Sequence, residues 1–337
     1  MKNIKSVSVA LTTYNGSNYL TEQLESILHQ TYPLKEIIIS DDCSSDSTND
    51  IITIYKNKYP KLIKYFQNAE NIGYIKNFEK AITNCSGEYI ALCDQDDAWD
   101  LNKIEILIKN IGNNLLIHSD ARLIDMNGNI LYESYTAISN KYVQNPSFSN
   151  ICINNIVTGC TVLLNSRLLN IALPFPTCIP HDQWLALLAA DTKNIAYYDK
   201  ALISYRQHSK NTIGAKTSKQ NVKNLTISSF SFKRNIMSKY HSNLRRYQKL
   251  SLLTKSIKNK ISIKNYIFIR KLTKYYKSYY YKMFRFHSFF FNIRYFKELN
   301  QKKYIFQSLN NLFYSLFGIK IINIHFNLKD ILGEKTF

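Results

Sequence analysis

Acidic residues are nearly missing from the last third of this sequence. Residues 216–337 hold 26 Lys and Arg against three acids, Glu298, Asp330 and Glu334. Residues 1–215 carry 18 basic and 21 acidic residues, so the formal charge of +20 belongs to the tail. Such asymmetry implies two parts with different partners. Genome bias could enrich lysine, but it would not strip Asp and Glu from one region only. Long apolar runs are missing too: no stretch of 18 or more uncharged apolar residues occurs, which excludes a transmembrane helix. The apolar run 7–11 is too short for the core of a signal peptide, and no small-residue cleavage site follows it. A cytoplasmic protein is therefore expected. Cysteine is sparse, six in 337 residues, and no two have the C-x-x-C spacing of a zinc knuckle or redox pair. In such a compartment the six read as small buried hydrophobes.

Hydrophobic residues make up 45% of the chain, enough for a sizeable core, and the length allows one large domain with an appendage. The first third alternates two periodicities. Residues 6–13 form an apolar strand ending at Asn15-Gly16, and residues 18–30 place Leu20, Leu24, Ile27 and Leu28 at helical spacing before Pro33. Strands follow at 36–40, 63–66 and 88–93, with helices at 48–59 and 75–84 between them. Strands alternating with helices of this length predict βαβ units and a mostly parallel sheet, an α/β fold. Further on, the expectations are a strand at 115–119, a hairpin around Asn127-Gly128, an apolar stretch at 156–165 around Gly159, a short buried helix at 182–190, and strands at 195–198 and 202–205. Residues 212–220, polar around Gly214, mark a boundary. Beyond 220 there is no proline, and Gly318 alone precedes the final turn. Tyr240, Leu244, Tyr247, Leu250 and Leu253 step by three and four, an amphipathic helix with a basic opposite face.

Chemistry concentrates where the strands end. Cys93-Asp94-Gln95-Asp96-Asp97-Ala98-Trp99 puts three carboxylates in four residues after an apolar strand. They repel unless a cation or hydrogen-bond donors sit among them. Open α/β sheets place ligands at this end of the strands, and hard oxygen ligands suit Mg²⁺ or Mn²⁺ bridging to phosphate. The alternative is a solvated acidic turn capping the next helix. Ser40-Asp41-Asp42-Cys43-Ser44-Ser45-Asp46 also follows a strand; its carboxylates suit a base or ribose, and its Ser45 or Asp46 equally suits a helix cap. Pro180-His181-Asp182-Gln183-Trp184 precedes the buried helix, with Asp182 either a cap or a base. Tyr205-Arg206-Gln207-His208 ends a strand, and its imidazole could complete a metal site begun by the acidic loop.

Taken in order, Thr12-Thr13-Tyr14-Asn15-Gly16, Asp41-Asp42 with Ser45-Asp46, Glu70-Asn71-Ile72-Gly73, Asp94-Gln95-Asp96-Asp97, His181-Asp182 and Tyr205-Arg206-Gln207-His208 resemble bacterial family 2 glycosyltransferases of the GT-A fold, in particular the rhamnosyltransferase-like branch of surface-polysaccharide synthesis. The resemblance covers residues 5–214. It implies that Thr12 and Asp42 hold the base and ribose, with Tyr14 and Asp41 close by and Asn71 and Lys76 or Asn77 neighbouring the nucleotide. It implies Asp94 at the ribose or donor sugar, Asp96 and His208 at the metal, and Asp182 as catalytic base. Where the family often carries Glu-Asp, this chain carries His181-Asp182. Gly159, Cys160 and Trp184 fall where the acceptor pocket usually lies. The implied activity is inverting transfer of a sugar from a UDP- or dTDP-sugar, dTDP-rhamnose among them, to a lipid-linked or oligosaccharide hydroxyl, with Mn²⁺ or Mg²⁺ as cofactor. A divalent cation would stabilise charge on the leaving diphosphate while a carboxylate opposite takes the acceptor proton. No Ser-His or Cys-His arrangement offers a covalent nucleophile. The rival reading is a nucleotide-sugar-binding or membrane scaffold protein without turnover.

The tail lies outside the resemblance. Tyr279-Tyr280-Tyr281-Lys282-Met283-Phe284-Arg285-Phe286 and Phe289-Phe290-Phe291 interleave cations with aromatics. Basic amphipathic helices of this kind lie at membrane surfaces, where anionic lipids attract each Lys or Arg. The domains expected are thus a catalytic domain over 1–215 and a helical basic region over 216–337, peripheral to the inner face of the cytoplasmic membrane. Packing on the core or on a second protomer is the other structural option, and nucleic acid is not expected because no recognition motif accompanies the charge.

Overall fold

A computed structural model describes residues 4–139, 146–209, 211 and 229–281. The chain divides into two compact units, Met1–Asn221 and Val222–Phe337. The first is built on one mixed sheet. Its strands, in chain order, are β1 (Val7–Thr13), β2 (Glu36–Asp41), β3 (Ile63–Gln67), β4 (Tyr89–Cys93), β5 (Ala98–Trp99), β6 (Leu116–Ile124), β7 (Ile130–Tyr132), β8 (Val162–Asn165) and β9 (Ile195–Arg206). Its helices are α1 (Leu20–Leu28), α2 (Thr48–Lys58), α3 (Tyr74–Thr83), α4 (Lys103–Asn110), α5 (Tyr135–Ser139), α6 (Phe148–Ile153), α7 (Leu169–Ala172) and α8 (His181–Asp191).

The sheet order is β3-β2-β1-β4-β8-β6-β9-β5, with β7 paired to β6. The first four strands are parallel, in register Thr13↔Asp41 and Leu11↔Cys93. Central strands of a parallel sheet are covered on both faces, so β1, β2 and β4 are near-continuous apolar runs and every residue in them is buried. Helices cover those faces with one apolar stripe each: Leu20, Leu24 and Ile27 on α1, and Phe78, Ala81 and Ile82 on α3. Removing one such aliphatic chain to Ala costs about 2–5 kcal/mol. Past β4 the direction changes. β8 runs antiparallel to both β4 and β6, and β6 runs parallel to β9. The start of β8 therefore meets the end of β4.

The βαβ order and most element positions match the sequence periodicity, with three differences. The strands expected at 195–198 and 202–205 are one strand, β9. Its polar Asp199-Lys200 interruption is absorbed by register shifts against Ser119–Arg122. β5 and α4 were not foreseen: two strand residues carry no periodicity, and α4 follows too closely on the acidic loop. α5 and α6 are likewise too short to show a period. The hairpin is present, with Gly128 at φ 88° and Asp125 N–H bonded to Asn129 carbonyl at 2.9 Å. No disulfide joins the six cysteines, all of which are described.

In the second unit, α9 (Ser229–Ile257) and α10 (Ile263–Tyr281) form a helical hairpin. Leu250, Leu253 and Ile257 on one helix and Phe268, Ile269, Leu272, Tyr275 and Tyr276 on the other are buried. The Thr254 and Thr273 hydroxyls lie 3.2 Å apart, and Arg246 donates to the Tyr276 hydroxyl at 3.0 Å, which fixes the helices antiparallel. Residues 229–281 carry 14 Lys and Arg and no acid. The boundary at 212–220 and the aromatic runs at 282–286 and 289–291 lie outside the described residues, as do the side chains of Tyr279, Tyr280 and Tyr281. No helix among the described residues is long and apolar enough to cross a membrane.

Candidate active site

The C-terminal ends of β1, β2 and β4 converge on one edge of the sheet, where open α/β sheets bind ligands. Thr12 is buried at the end of β1. The Thr13 hydroxyl donates to Asp41 at 2.7 Å, and Asp41 also accepts from the Ser44 amide at 2.8 Å and hydroxyl at 2.5 Å. Asp41 is fully buried and shapes the loop after β2. Asp42 works on the next loop. Its carboxylate accepts from the Asn68 amide at 2.9 Å, the Ile72 N–H at 2.8 Å and the Gly73 N–H at 2.9 Å. Asn71 also accepts from Gly73 N–H, at 3.1 Å, and Gly73 holds φ 81°, a value that favours glycine. Asn77, on α3, ties Ser40 and Asn68 together from below. Lys76 pairs with Glu79 at 2.9 Å and donates to the Phe175 carbonyl at 3.1 Å, joining α3 to the loop that leads to α8.

The β1 loop and the acidic loop are locked together by Gln95. Its side chain accepts from Tyr14 N–H at 2.7 Å and donates to Tyr14 carbonyl at 2.9 Å, as a neighbouring strand would. Tyr14 itself is 48% exposed. A Cβ on Gly16 would lie 2.1 Å from the Gln95 oxygen, so any other residue there would push the Gln95 side chain out of this lock.

The three carboxylates of the acidic loop face different partners. Asp96 meets His208, Oδ2 to Nε2 at 2.8 Å, and both side chains are 12% exposed. Arg206 secures this pair from behind. Its Nε donates to the Asp96 carbonyl at 2.9 Å and its backbone N–H to Asp97 at 3.0 Å, while its guanidinium pairs with Glu22 at 2.5 Å and lies over Tyr19. Burial, and then the charges of Asp96 and Asp182, push the Asp94 carboxyl up to about 7. Burial pushes fully buried Asp97 well above the carboxylate range, with Asp96 and Asp94 adding to it. Lys103, also fully buried, stands with these two; burial lowers its ammonium to about 8 against the pull of Cys160, Cys93, Asp97 and Asp94.

Two donor sets here could take a metal. Ligand atoms of Asp94, Asp97 and Cys160 lie within 4.8 Å of one another. A thiol favours soft ions, however, and burial holds the Cys160 thiol well above its ordinary value. Carboxylate Asp96 with imidazole His208, reachable from outside, fits Mn²⁺ or Mg²⁺ better.

The opposite wall begins with α8. Asp182 sits in its first turn and accepts from the Asn155 side chain at 3.0 Å and the Gln183 N–H at 2.6 Å, both on Oδ1. His181 beside it is 5% exposed, stacks on Phe78 at 3.9 Å and meets Tyr74 edge-on at 6.0 Å. Both its nitrogens are buried without a hydrogen-bond partner, and burial lowers it to about 4. Gly159 abuts this ring: a Cβ there would stand 3.0 Å from His181 Nε2 and 3.7 Å from Asp182 Cβ. Cys160 and Trp184 are fully buried, and the Trp184 indole donates to the Ala172 carbonyl at 2.9 Å. Placed so, they build the wall from behind and present no surface to an acceptor.

The structure thus gathers Thr12, Tyr14, Asp41, Asp42, Asn71, Asp94, Asp96 and His208 on the strand-end edge, and the charge of Asp182 reaches Asp94. Sequence reasoning missed Gln95, Lys103, Asn155 and the clamp of Arg206. Arg206 and Gln95 lie inside quoted motifs, but nothing in a sequence marks which neighbour will turn inward.

Comparison with known proteins shows the family. The model of glycosyl transferase family 2 fits residues 8–161. The dTDP-rhamnosyl transferase RfbG of Shigella flexneri is 30% identical over 223 residues, 62% of this chain and 75% of that protein. The chain belongs to glycosyl transferase family 2. The putative teichuronic acid biosynthesis glycosyltransferase TuaG of Bacillus subtilis is 38% identical over 99 residues, 29% of this chain and 39% of TuaG. Matches to glycosyltransferases of Rickettsia bellii and Rickettsia typhi span 30% and 65% of those proteins. Staphylococcus aureus TarS 1–349, solved with UDP-GlcNAc, shares the fold: TM-score 0.53 at 18% identity, covering 93% of this chain and 81% of that one. The GT-A expectation holds.

Proposed function

We propose that this family 2 glycosyltransferase inverts the anomeric centre of a UDP- or dTDP-sugar, with dTDP-rhamnose the first candidate, and passes the sugar to a hydroxyl of a lipid-linked or oligosaccharide acceptor in bacterial surface-polysaccharide synthesis. The observation that carries it is the Asp96–His208 pair on one side of the strand-end edge and Asp182 on the other. The candidate donor comes from RfbG, whose name states a dTDP-rhamnosyl donor.

In this reading Thr12, Asp41 and Asp42 form the nucleotide wall, with Tyr14, Asn71 and Lys76 along it, and Asp94 meets the ribose or donor sugar. Asp96 and His208 hold Mn²⁺ or Mg²⁺, which when bound offsets charge on the departing diphosphate. Asp182 removes the acceptor proton. Both of its hydrogen bonds fall on Oδ1, and Oδ2 is the oxygen assigned to the proton. Gly159 lets that carboxylate approach. Cys160 and Trp184 support the acceptor side from within. The helical hairpin docks on the inner, anionic leaflet where a lipid-linked acceptor would reside.

Asp96→Asn and Asp182→Asn test the assignment. Each is expected to lower transfer at least about a thousandfold with the thermal unfolding temperature within a few degrees of wild type. Asp182→Asn should still bind donor with metal, and Asp96→Asn should lose the metal-dependent part of that binding. Normal turnover in either variant sinks the assignment. Failure of wild type to consume any UDP-, dTDP- or GDP-sugar with acceptor supplied would favour a binding or scaffold protein. Thermal-shift screening of those donors with and without Mn²⁺ identifies the nucleotide.

A further inference from the structure

An imidazole that shares an ion with a carboxylate must keep one orientation, and the start of α1 supplies what surrounds the His208 ring. Tyr19, half-buried just before α1, lies against it with ring centroids 5.0 Å apart and planes tilted by 31°. The same Tyr19 ring has the Arg206 guanidinium 4.8 Å from its centre, a cation held over an aromatic face. Glu22, in the first turn of α1, pairs with that guanidinium, whose Nε holds the Asp96 carbonyl. Asn211 closes the frame from the other end. It accepts from the His208 N–H at 2.5 Å and donates to the Arg206 carbonyl at 3.0 Å. One aromatic ring thus touches both the imidazole beside Asp96 and the cation behind it.

We infer that Tyr19 is a positioning residue for the metal: its ring, braced by Arg206 and Glu22, fixes the plane in which the His208 imidazole faces the ion shared with Asp96. Both contacts are made by the ring itself, so the Tyr19 hydroxyl takes no part. Removing a group that orients a metal ligand costs about ten- to a hundredfold in metal affinity. Leucine at this position would fill part of the volume and leave the imidazole free to turn. The inference rests on the assignment of Asp96 and His208 as metal ligands, and it adds to that assignment a part for α1, an element that supplies no ligand of its own.

The test is equilibrium binding of Mn²⁺ to the full, EDTA-stripped chain without nucleotide, followed by the loss of the free-ion EPR signal. Tyr19→Leu should weaken Mn²⁺ about tenfold with Tm within a few degrees of wild type, and Tyr19→Phe should stay within about twofold of wild type. In a His208→Ala background, Tyr19→Leu should cost no more than about twofold, because the ring acts through the imidazole. Glu22→Gln, on a half-exposed side chain, loosens Arg206 and should weaken Mn²⁺ about threefold. Glu25→Gln on the same helix touches Tyr55 and not Arg206, and it should leave the affinity unchanged, which separates the contact from net charge. If Tyr19→Leu unfolds early, the Glu22→Gln and Glu25→Gln pair decides. Wild-type affinity in Tyr19→Leu, a Tyr19→Phe as weak as Tyr19→Leu, or an equal loss with His208 already removed overturns the inference and leaves the metal assignment standing. A wild type that binds no Mn²⁺, or a His208→Ala that binds it equally well, takes down the metal assignment and the inference with it.

Discussion

His181 is a titratable ring sealed between Phe78, Tyr74 and Gly159, with no partner for either nitrogen. Water would satisfy both nitrogens in the unfolded chain, so the buried ring costs stability, about 1–3 kcal/mol by the usual penalty for an unmet polar group. Burial also keeps it neutral, lowered from 6.5 to about 4. The unfolded chain takes up this proton near pH 6.5 and the folded chain only near pH 4, so the unfolded state holds more protons across that window. Stability present above pH 6.5 therefore drains away as pH falls toward 4, in total on the order of 3 kcal/mol. His181→Phe keeps a ring on Phe78 and removes the titration. Its Tm should fall less than that of wild type between pH 6.5 and 4.5, and parallel falls would show that other groups dominate. Glu36 takes over in stronger acid. Burial opposes its charge, but hydrogen bonds from Lys64, Ser86 and Ser8 outweigh that and hold it at about 2.

Among elements, the Gly159–Thr161 turn is held from two sides. It has His181 on one side and the Lys103 ammonium on the other. Gly159→Ala puts a methyl 3.0 Å from a ring that Phe78 prevents from retreating. The strain should pass to Asp182, next in sequence. The expected outcome is a loss of about tenfold or more in kcat, with donor KM within twofold of wild type. A wild-type kcat would show that the turn yields without moving Asp182. The elements were legible in unequal measure. The parallel half of the sheet announced itself because both its faces are buried and its strands are therefore apolar throughout. The acidic loop announced itself because like charges are rarely crowded without a purpose. The split of β9 was misread because Asp199-Lys200 breaks the apolar pattern, whereas hydrogen bonding bridges the break through a shift in register. Trp184 was placed near the acceptor by motif alone, and its orientation into the core depends on the Ala172 carbonyl from a segment no local pattern connects to it. Gln95 and Arg206 act across 81 and 110 residues of sequence, respectively, and such reach leaves no local trace.

For the molecule as a whole, charge is sorted by unit. The hairpin of α9 and α10 holds 14 cations and no carboxylate, so it cannot neutralise itself. Exposed Leu252, Ile263 and Ile267, the last two near the hairpin turn, are scattered among those cations. Cations with isolated apolar contacts suit an anionic bilayer surface better than a purely electrostatic partner. The full chain should sediment with vesicles containing anionic phosphatidylglycerol and not with neutral phosphatidylcholine, and roughly 0.5 M salt should release most of it. Equal binding to both vesicles, or to neither, would remove the membrane from the account.

The reversal of direction between β4 and β8 decides which loops share an address. Because β8 starts where β4 stops, the acidic loop and the Gly159–Thr161 turn are neighbours at the sheet although some 65 residues separate them in the chain.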